Sequence, residues 1–307
     1  MRFFYTIAVV YLLAWPGNLL SQGWSEEDVD LAKDYVGFSF LRVDLTGYGA
    51  ALGGACVASI TGAEALFWNP GGAPCVDGID VVIGYAPHLF SSLGYVGLTT
   101  AWGKNAFGIT LVNFYVPKME FHLDYPSSPL GYYDAGAFSI ALGVARQIDP
   151  RLSFGICGKW IRERIYISSY DIWALDIGAQ LSLPYRLRFG AAVQHWGTSY
   201  GWGTTRIYSP LCIKGGASWE YGLGDVGVGV SGEVNYYEDV GFVFPVGFEF
   251  LYAGMYTLRA GMKINHPTEI FSVGVGIRKE SIAVDYAVLF YSAGFGFTHR
   301  LGLNFRL

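Results

Sequence analysis

From Asp80 to the carboxy terminus the chain alternates apolar and polar residues with period two, and no other feature narrows its possible folds as much. In an extended strand, successive side chains point to opposite faces of a sheet. In the last segment Phe297, Leu301, Leu303, Phe305 and Leu307 fall on one face, and Thr298, Arg300, Gly302, Asn304 and Arg306 on the other. Phe271, Val273, Val275 and Ile277 separate in the same way from Ser272, Gly274, Gly276 and Arg278, as do Ile282, Val284, Tyr286 and Val288 from Ala283, Asp285 and Ala287. Turn signals at glycine, proline and polar clusters divide the region into fourteen strands, at 79–87, 92–102, 105–116, 133–146, 152–163, 169–183, 186–196, 208–220, 226–236, 242–251, 255–264, 268–279, 282–291 and 295–307. That leaves about 16 residues per strand and connection, enough for a membrane-spanning strand of about 9 to 11 residues and its turn.

The faces are chosen on apolar residues alone, so charge tests them. Lys159, Asp176, Arg188, Lys214, Glu233, Glu249, Arg259, Lys263, Arg278, Asp285 and Arg300 fall on the polar face, with Asp80, Glu220 and Arg306. The charges on the apolar face, Asp134, Arg146, Arg162, Asp171 and Lys279, sit at strand ends. An Arg or Lys facing lipid at mid-bilayer costs about 2 to 4 kcal/mol and little at the interface, so this distribution suits an apolar face turned to lipid and an ionised face lining a bore. A soluble sandwich would put the same alternation the other way round. Three features favour the bilayer. Tyrosine and tryptophan gather at strand ends, among them Trp102, Tyr132, Trp196, Trp219, Tyr237, Tyr252, Tyr256 and Tyr291, where interface girdles form. The two longest connections, 117–132 and 197–207, are the third and seventh, which point outward if the chain enters from the periplasm. The chain also ends on a strand that can close the sheet, and a bilayer tolerates no open edge.

Composition agrees with this reading. The chain is 52% hydrophobic and 15% charged, with 42 glycines in 307 residues; that is about twice glycine's usual share of about 7% and argues against a helix-rich enzyme. A net charge of -5 with 20 Lys+Arg offers no basic stripe, so nucleic acid is excluded as a partner. The uncharged window 81–103 is broken by Pro87, Ser91-Ser92 and glycines and reads as two strands rather than a spanning helix.

Arg2, the apolar run Phe3–Trp15 and Ser21-Gln22-Gly23 have the layout of a secretory signal peptide cleaved after Gly23. Residues 24–78 lack the alternation: Ser25-Glu26-Glu27-Asp28 can cap a helix to about Asp34, and Tyr48–Leu66 is dense in Gly and Ala. Too short for its own core, this segment needs a concave surface to cover it. The lumen of a fourteen-strand barrel, too wide for side chains to fill, supplies one. The organisation expected is therefore a signal peptide at 1–23, an amino-terminal and partly helical hatch at 24–78, and an all-β transmembrane barrel at 79–307. Cys56 and Cys75 either pair across a short loop or serve as small packing residues, and the four cysteines have no zinc-ligand spacing.

Gly53-Gly54-Ala55, Ala58, Glu64-Ala65 and Trp68-Asn69-Pro70-Gly71 resemble the amino-terminal signature of the PorV/PorQ branch of the FadL-like outer-membrane proteins, a Met-Gly-Gly-Ala run before an Asn-Pro-Ala turn. Leu52 stands for the methionine and Gly71 for the alanine. Arg300–Leu307 resembles the carboxy-terminal signal read by the barrel-assembly machinery, extended by Arg306 and Leu307. The resemblance implies an integral bacterial outer-membrane protein in contact with lipid. In the PorV/PorQ branch it implies an accessory of protein secretion that binds secreted proteins or a secretion complex at its extracellular mouth. The wider FadL-like family implies instead a passive transporter of hydrophobic small molecules. The aromatic loop with Trp196, Tyr200 and Trp202 suits either role, and a purely structural barrel is a third reading. No cofactor, metal or catalytic residue is expected: the five histidines lie in loops or on the apolar face, His195 and His299 among the latter, and no Gly-x-Ser-x-Gly elbow accompanies them.

Overall fold

The computed structural model describes residues 35–122, 128–202, 205–292 and 294–307; the signal peptide and the capped helix expected at 25–34 lie outside them. Seventeen strands occur among the described residues: β1 (Tyr35–Val36), β2 (Gly78–His88), β3 (Ser91–Trp102), β4 (Asn105–Phe121), β5 (Gly131–Gln147), β6 (Leu152–Ile165), β7 (Ser168–Ser182), β8 (Leu187–Gly197), β9 (Ser199–Trp202), β10 (Thr205–Tyr208), β11 (Cys212–Leu223), β12 (Val226–Tyr237), β13 (Gly241–Tyr252), β14 (Tyr256–Ile264), β15 (Glu269–Lys279), β16 (Ile282–Tyr291) and β17 (Phe297–Arg306). Fourteen of them, β2–β8 and β11–β17, form one closed antiparallel barrel. Each matches a segment read from the alternation.

Closure runs between the last strand and the first: Leu301 stands opposite Tyr85 and Arg306 opposite Asp80. Ile79 and Leu307 then exchange both backbone hydrogen bonds, at 2.9 and 2.8 Å. In a bilayer no water is available to an unpaired edge, so this seam is what makes the sheet viable there.

The apolar face points outward. Phe271, Val284 and Phe297 are exposed, whereas Arg300, Asp176, Asp80 and Lys159 are buried. The fold is thus a transmembrane barrel with its greasy surface outside and its ionised residues in the bore. Trp102, Tyr132, Trp196, Trp219, Tyr252 and Tyr256 project outward at or near the strand ends. Tyr237 and Tyr291, expected in the girdle, have the opposite parity and face inward, Tyr237 under the Arg42 guanidinium at 5.1 Å and Tyr291 accepting from Arg300 at 3.3 Å.

Short turns and both barrel termini share one end, and the longer connections share the other. The connection expected at 117–132 is partly strand, because β4 runs on to Phe121 and β5 starts at Gly131 past a bulge between Val116 and Met119. The connection after β8 holds the β9–β10 hairpin, onto which β1 adds a parallel strand with Tyr35 opposite Ile207. The chain therefore enters at the loop end and crosses the bore to start β2 at the turn end. On the way it makes two short helices, α1 (Gly47–Ala51) and α2 (Ala65–Trp68), and 3-10 turns at Ser39–Arg42, Gly62–Glu64 and Pro70–Cys75. α1 packs on β14–β17, and Pro70–Cys75 packs on β5–β7 across the barrel. Phe38, Phe40, Leu45, Leu66, Phe67 and Trp68 pack with inward-facing Val82, Leu93, Tyr95, Ile161 and Ile172 to form the main core.

Replacing outward Val284 with Arg should lower the unfolding free energy in lipid vesicles by about 2 to 4 kcal/mol. Denaturant titration of tryptophan fluorescence checks this, and an unshifted midpoint would contradict a lipid-facing position.

Candidate functional site

The candidate site is the bore where the inner segment, here called the hatch, meets the wall. Its charges are distributed among several centres. Arg259 donates to Glu249 and to Asp285, each at 2.5 Å, and its guanidinium lies 4.6 Å from the ring centroid of Tyr48. Lys263 bridges the hatch residue Asp44 and Glu269, both at 2.9 Å. Completely buried, Arg300 donates to the carbonyl oxygen of Asp44 at 2.5 Å, to the Pro87 carbonyl at 3.1 Å and to the Thr298 hydroxyl at 3.0 Å.

Lys159 pairs with Asp176 at 2.5 Å. Here the β7–β8 ladder shifts register between Leu175 and Ile177, and the Asp176 carboxylate accepts the His195 N–H at 2.8 Å in place of a ladder carbonyl. His195 adopts a left-handed backbone (φ 58°), which turns its ring into the bore, 3.2 Å from the Lys159 Nζ. The expectation that His195 faces lipid is thereby corrected; the bulge reverses its parity. His299 does remain on the outer surface, hydrogen-bonded to the Tyr286 hydroxyl at 2.6 Å.

Of the remaining charges expected in the bore, Lys214 lies 4.8 Å from the Trp68 ring and Glu233 accepts the N–H of hatch residue Val57. Arg188 and Glu220 approach to only 3.6 Å and are half-exposed, and Arg278 is exposed next to the 280–281 turn. Both arginines keep the expected face but sit at the turn-end mouth, outside the buried clusters.

The hatch motif does structural work. Gly53 has a left-handed backbone (φ 64°), and a Cβ there would stand 2.8 Å from the Met262 backbone nitrogen, so only glycine allows this approach to β14. Gly54 is also left-handed, and Ala55 is fully buried. Asn69, fully buried, donates to the carbonyls of Val57 (2.7 Å) and Ala179 (3.0 Å) and accepts the Gly71 N–H (3.0 Å), while Pro70 opens the following 3-10 turn. Asn69 thereby fastens the middle of the hatch to β7. Gln180 and Gln194 add wall-to-hatch bonds to the carbonyls of Ile60 (2.8 Å) and Phe67 (2.6 Å). Asp44 and Glu269 escaped the sequence reading, since nothing local marks their partners, and Glu64 entered it only as part of the hatch signature.

Where Arg42, Trp68, His195, Lys214, Tyr237 and Lys263 converge, the enclosed cavity is about 10 Å3, room for about one water molecule. Of the three rings expected in the aromatic loop, that of Trp202 lies outside the described side chains, and the other two part company. Trp196 is exposed, whereas Tyr200 stacks on Tyr170 at 4.3 Å and meets Phe38 edge-on at 5.8 Å. Cys56 and Cys75 are unbonded, and among the described residues no group of His, Cys, Asp and Glu is arranged to hold a metal ion.

No protein-family profile matches the chain, and no curated protein does. Solved structures do. The chain is similar in fold to the CymD monoaromatic hydrocarbon channel (14% identity, 86% of this chain and 98% of that one, TM-score 0.60). It is equally similar to the toluene transporter TodX of Pseudomonas putida (12%, 89% and 97%, 0.60), and somewhat less so to a FadL homologue of Pseudomonas aeruginosa (11%, 86% and 99%, 0.53). These are FadL-type barrels, and the fold is shared with them. The comparisons do not single out the PorV/PorQ branch.

Two outcomes follow from the bore. Asp176→Ala leaves Lys159 buried without its partner, a loss of about 3 to 5 kcal/mol, so the folded band on an unheated gel should convert at a lower temperature than wild type. Glu64, hydrogen-bonded by Thr46, is pushed by burial from the usual 4.5 up to about 8. A raised acid pKa means that its contribution to hatch stability is full below pH 4.5 and is lost as pH rises through about 8. Hatch amides should therefore exchange hydrogen faster at pH 9 than at pH 6 after correction for intrinsic rates, and Glu64→Gln should remove that difference.

Proposed function

We propose that the chain is a passive outer-membrane channel for small hydrophobic molecules, exported by its amino-terminal segment and inserted through β17 by the barrel-assembly machinery. The observation that carries this reading is a lipid-facing barrel whose bore is closed by a separate hatch, in the architecture shared with two barrels described as a monoaromatic hydrocarbon channel and a toluene transporter. No covalent step is needed. A lipopolysaccharide leaflet slows hydrophobic solutes, and a barrel that accepts them above it and releases them below supplies a route.

The chemistry of the wall suits such cargo. Outward residues around the strands are aliphatic and aromatic, so a hydrocarbon leaving sideways would pass from protein to acyl chains without crossing water. The secretion-accessory reading relied on the aromatic loop as a docking patch. With Tyr200 committed to Tyr170 and Phe38, that loop has less free surface than the sequence suggests.

Expressed in a host lacking its own hydrophobic-uptake channel, the protein should raise the initial uptake of radiolabelled toluene by intact cells by about ten-fold, equivalent to about 1.4 kcal/mol in the barrier. Uptake no faster than in cells carrying an empty vector would refute the channel reading. Co-purification of secretion components with the barrel would revive the accessory role.

A further inference from the structure

At the turn end the outer surface of the barrel carries a cationic row. Register places Trp102 opposite Asn105, Asn105 opposite Arg146 and Arg146 opposite Phe154, so four outward side chains of β3, β4, β5 and β6 stand side by side. With neighbouring strands about 4.8 Å apart, the row is about 14 Å long. Trp102, Arg146 and Phe154 are exposed, as are Lys104 and Arg151 in the two adjoining turns. The Gln147 N–H donates to the Lys104 carbonyl at 2.7 Å, which holds the β3–β4 turn against the end of β5.

Away from the turns the surface becomes apolar. The next outward row reads Thr100, Phe107, Val144 and Ile156, and the one after it Leu98, Ile109, Leu142 and Gly158, each about 7 Å further along the strands. Nothing lies within 4 Å of a Cβ built on Gly158, so the third row has a dent beside exposed Leu142. The chain as a whole has a net charge of -5, yet three cations gather at the first row. None of Lys104, Arg146 and Arg151 forms an ion pair with a described carboxylate. Asp149, in the β5–β6 turn, accepts the N–H groups of Arg151 at 2.7 Å and Leu152 at 3.0 Å. Those two N–H groups first, and then the Arg151 and Lys104 charges, hold its carboxyl below the usual carboxylate range. It is thus engaged by backbone, and Asp77, the next acid along the rim, precedes β2, one strand beyond Trp102.

We propose that this row binds the phosphodiester head of an anionic phospholipid of the phosphatidylglycerol type, with Arg146 as the central contact, Lys104 and Arg151 beside it, and the acyl chains lying on the two apolar rows. An arginine can rest its stem on apolar surface while its head stays at the interface, and cations at that level attract anionic lipid. In the outer-membrane orientation of the channel reading, the turn end meets the phospholipid leaflet. The site itself depends on the barrel surface alone, whatever passes through the bore.

The test counts phospholipid bound to the full-length barrel. Protein folded in vesicles of equal parts phosphatidylcholine and phosphatidylglycerol is extracted in mild detergent, and the lipids it retains are identified by native mass spectrometry. Phosphatidylglycerol should be retained over phosphatidylcholine by about ten-fold, and the double variant Lys104→Gln/Arg146→Gln should bring that ratio close to one. Lys279→Gln removes an exposed, outward cation at the turn end of β15, six strands from β5, and should leave the ratio unchanged. Excess inorganic phosphate should not displace the lipid, because it gains nothing from the apolar rows. Equal retention of the two lipids, a preference that survives the double variant, an equal loss in Lys279→Gln, or displacement by inorganic phosphate would each overturn the site. Selective retention that needs Lys104 and Arg146, in a protein that fails the cell-uptake assay, supports the lipid site and sinks the channel reading alone.

Discussion

The backbone ladder must close because hydrocarbon offers no partner to an N–H or C=O. From the β17–β2 seam follows the assignment of every side chain, since one residue of slip would turn the ionised face to lipid. Departures from the ladder are correspondingly few, and each has a local replacement or a neighbour that covers it. At Leu175/Ile177 the Asp176 carboxylate takes over the role of a carbonyl. Opposite Pro245 nothing in the wall does, and there the hatch stands behind the gap.

Closure turns charge inward, and the bore cannot neutralise that charge alone. Arg300 reaches the Asp44 backbone and Lys263 its carboxylate, so one hatch residue satisfies two wall cations. Gln180 and Gln194 bind hatch carbonyls, and Tyr95 donates to Ala63 at 2.9 Å. Without the hatch these buried groups would need water or each other. Without the wall the short hatch helices would lack a core. Neither part is a complete structure, which explains why a segment with so little periodicity of its own is ordered from Tyr35 to Asp77.

Strands were legible because their signal is local and repeated: parity, turn residues and charge placement each report within a few positions, and Lys159, Asp176, Glu249, Arg259, Asp285 and Arg300 could be placed on the inner face without knowing a single neighbour. Pairing was not legible. Whether Arg259 meets Asp285 depends on the register of two strands, and whether Lys263 meets Asp44 depends on a crossing more than two hundred residues away in sequence. His195 failed for a different reason, since one inserted residue reverses parity and no rule of composition marks it. The wall gap did leave a trace, in a proline within a strand pattern and the adjacent Gly215-Gly216 two strands away, but each is common enough alone that only their convergence in space gives them meaning.

The hatch is not held evenly, and that asymmetry bears on movement. Around Asp44 it is fixed by the buried ion pair to Lys263, whose disruption costs about 3 to 5 kcal/mol, and by the Arg300 hydrogen bond to the Asp44 carbonyl. Around Val57 it is held by hydrogen bonds to backbone atoms, with typical net contributions of about 0.5 to 1.5 kcal/mol each, or about 1.5 to 3 when one partner is charged. A displacement confined to Val57 and its neighbours therefore meets less resistance than one that withdraws Asp44 from Lys263 and Arg300. Contact for contact, the anchor at Asp44 therefore holds the hatch in the barrel more firmly than the bonds at Val57 do.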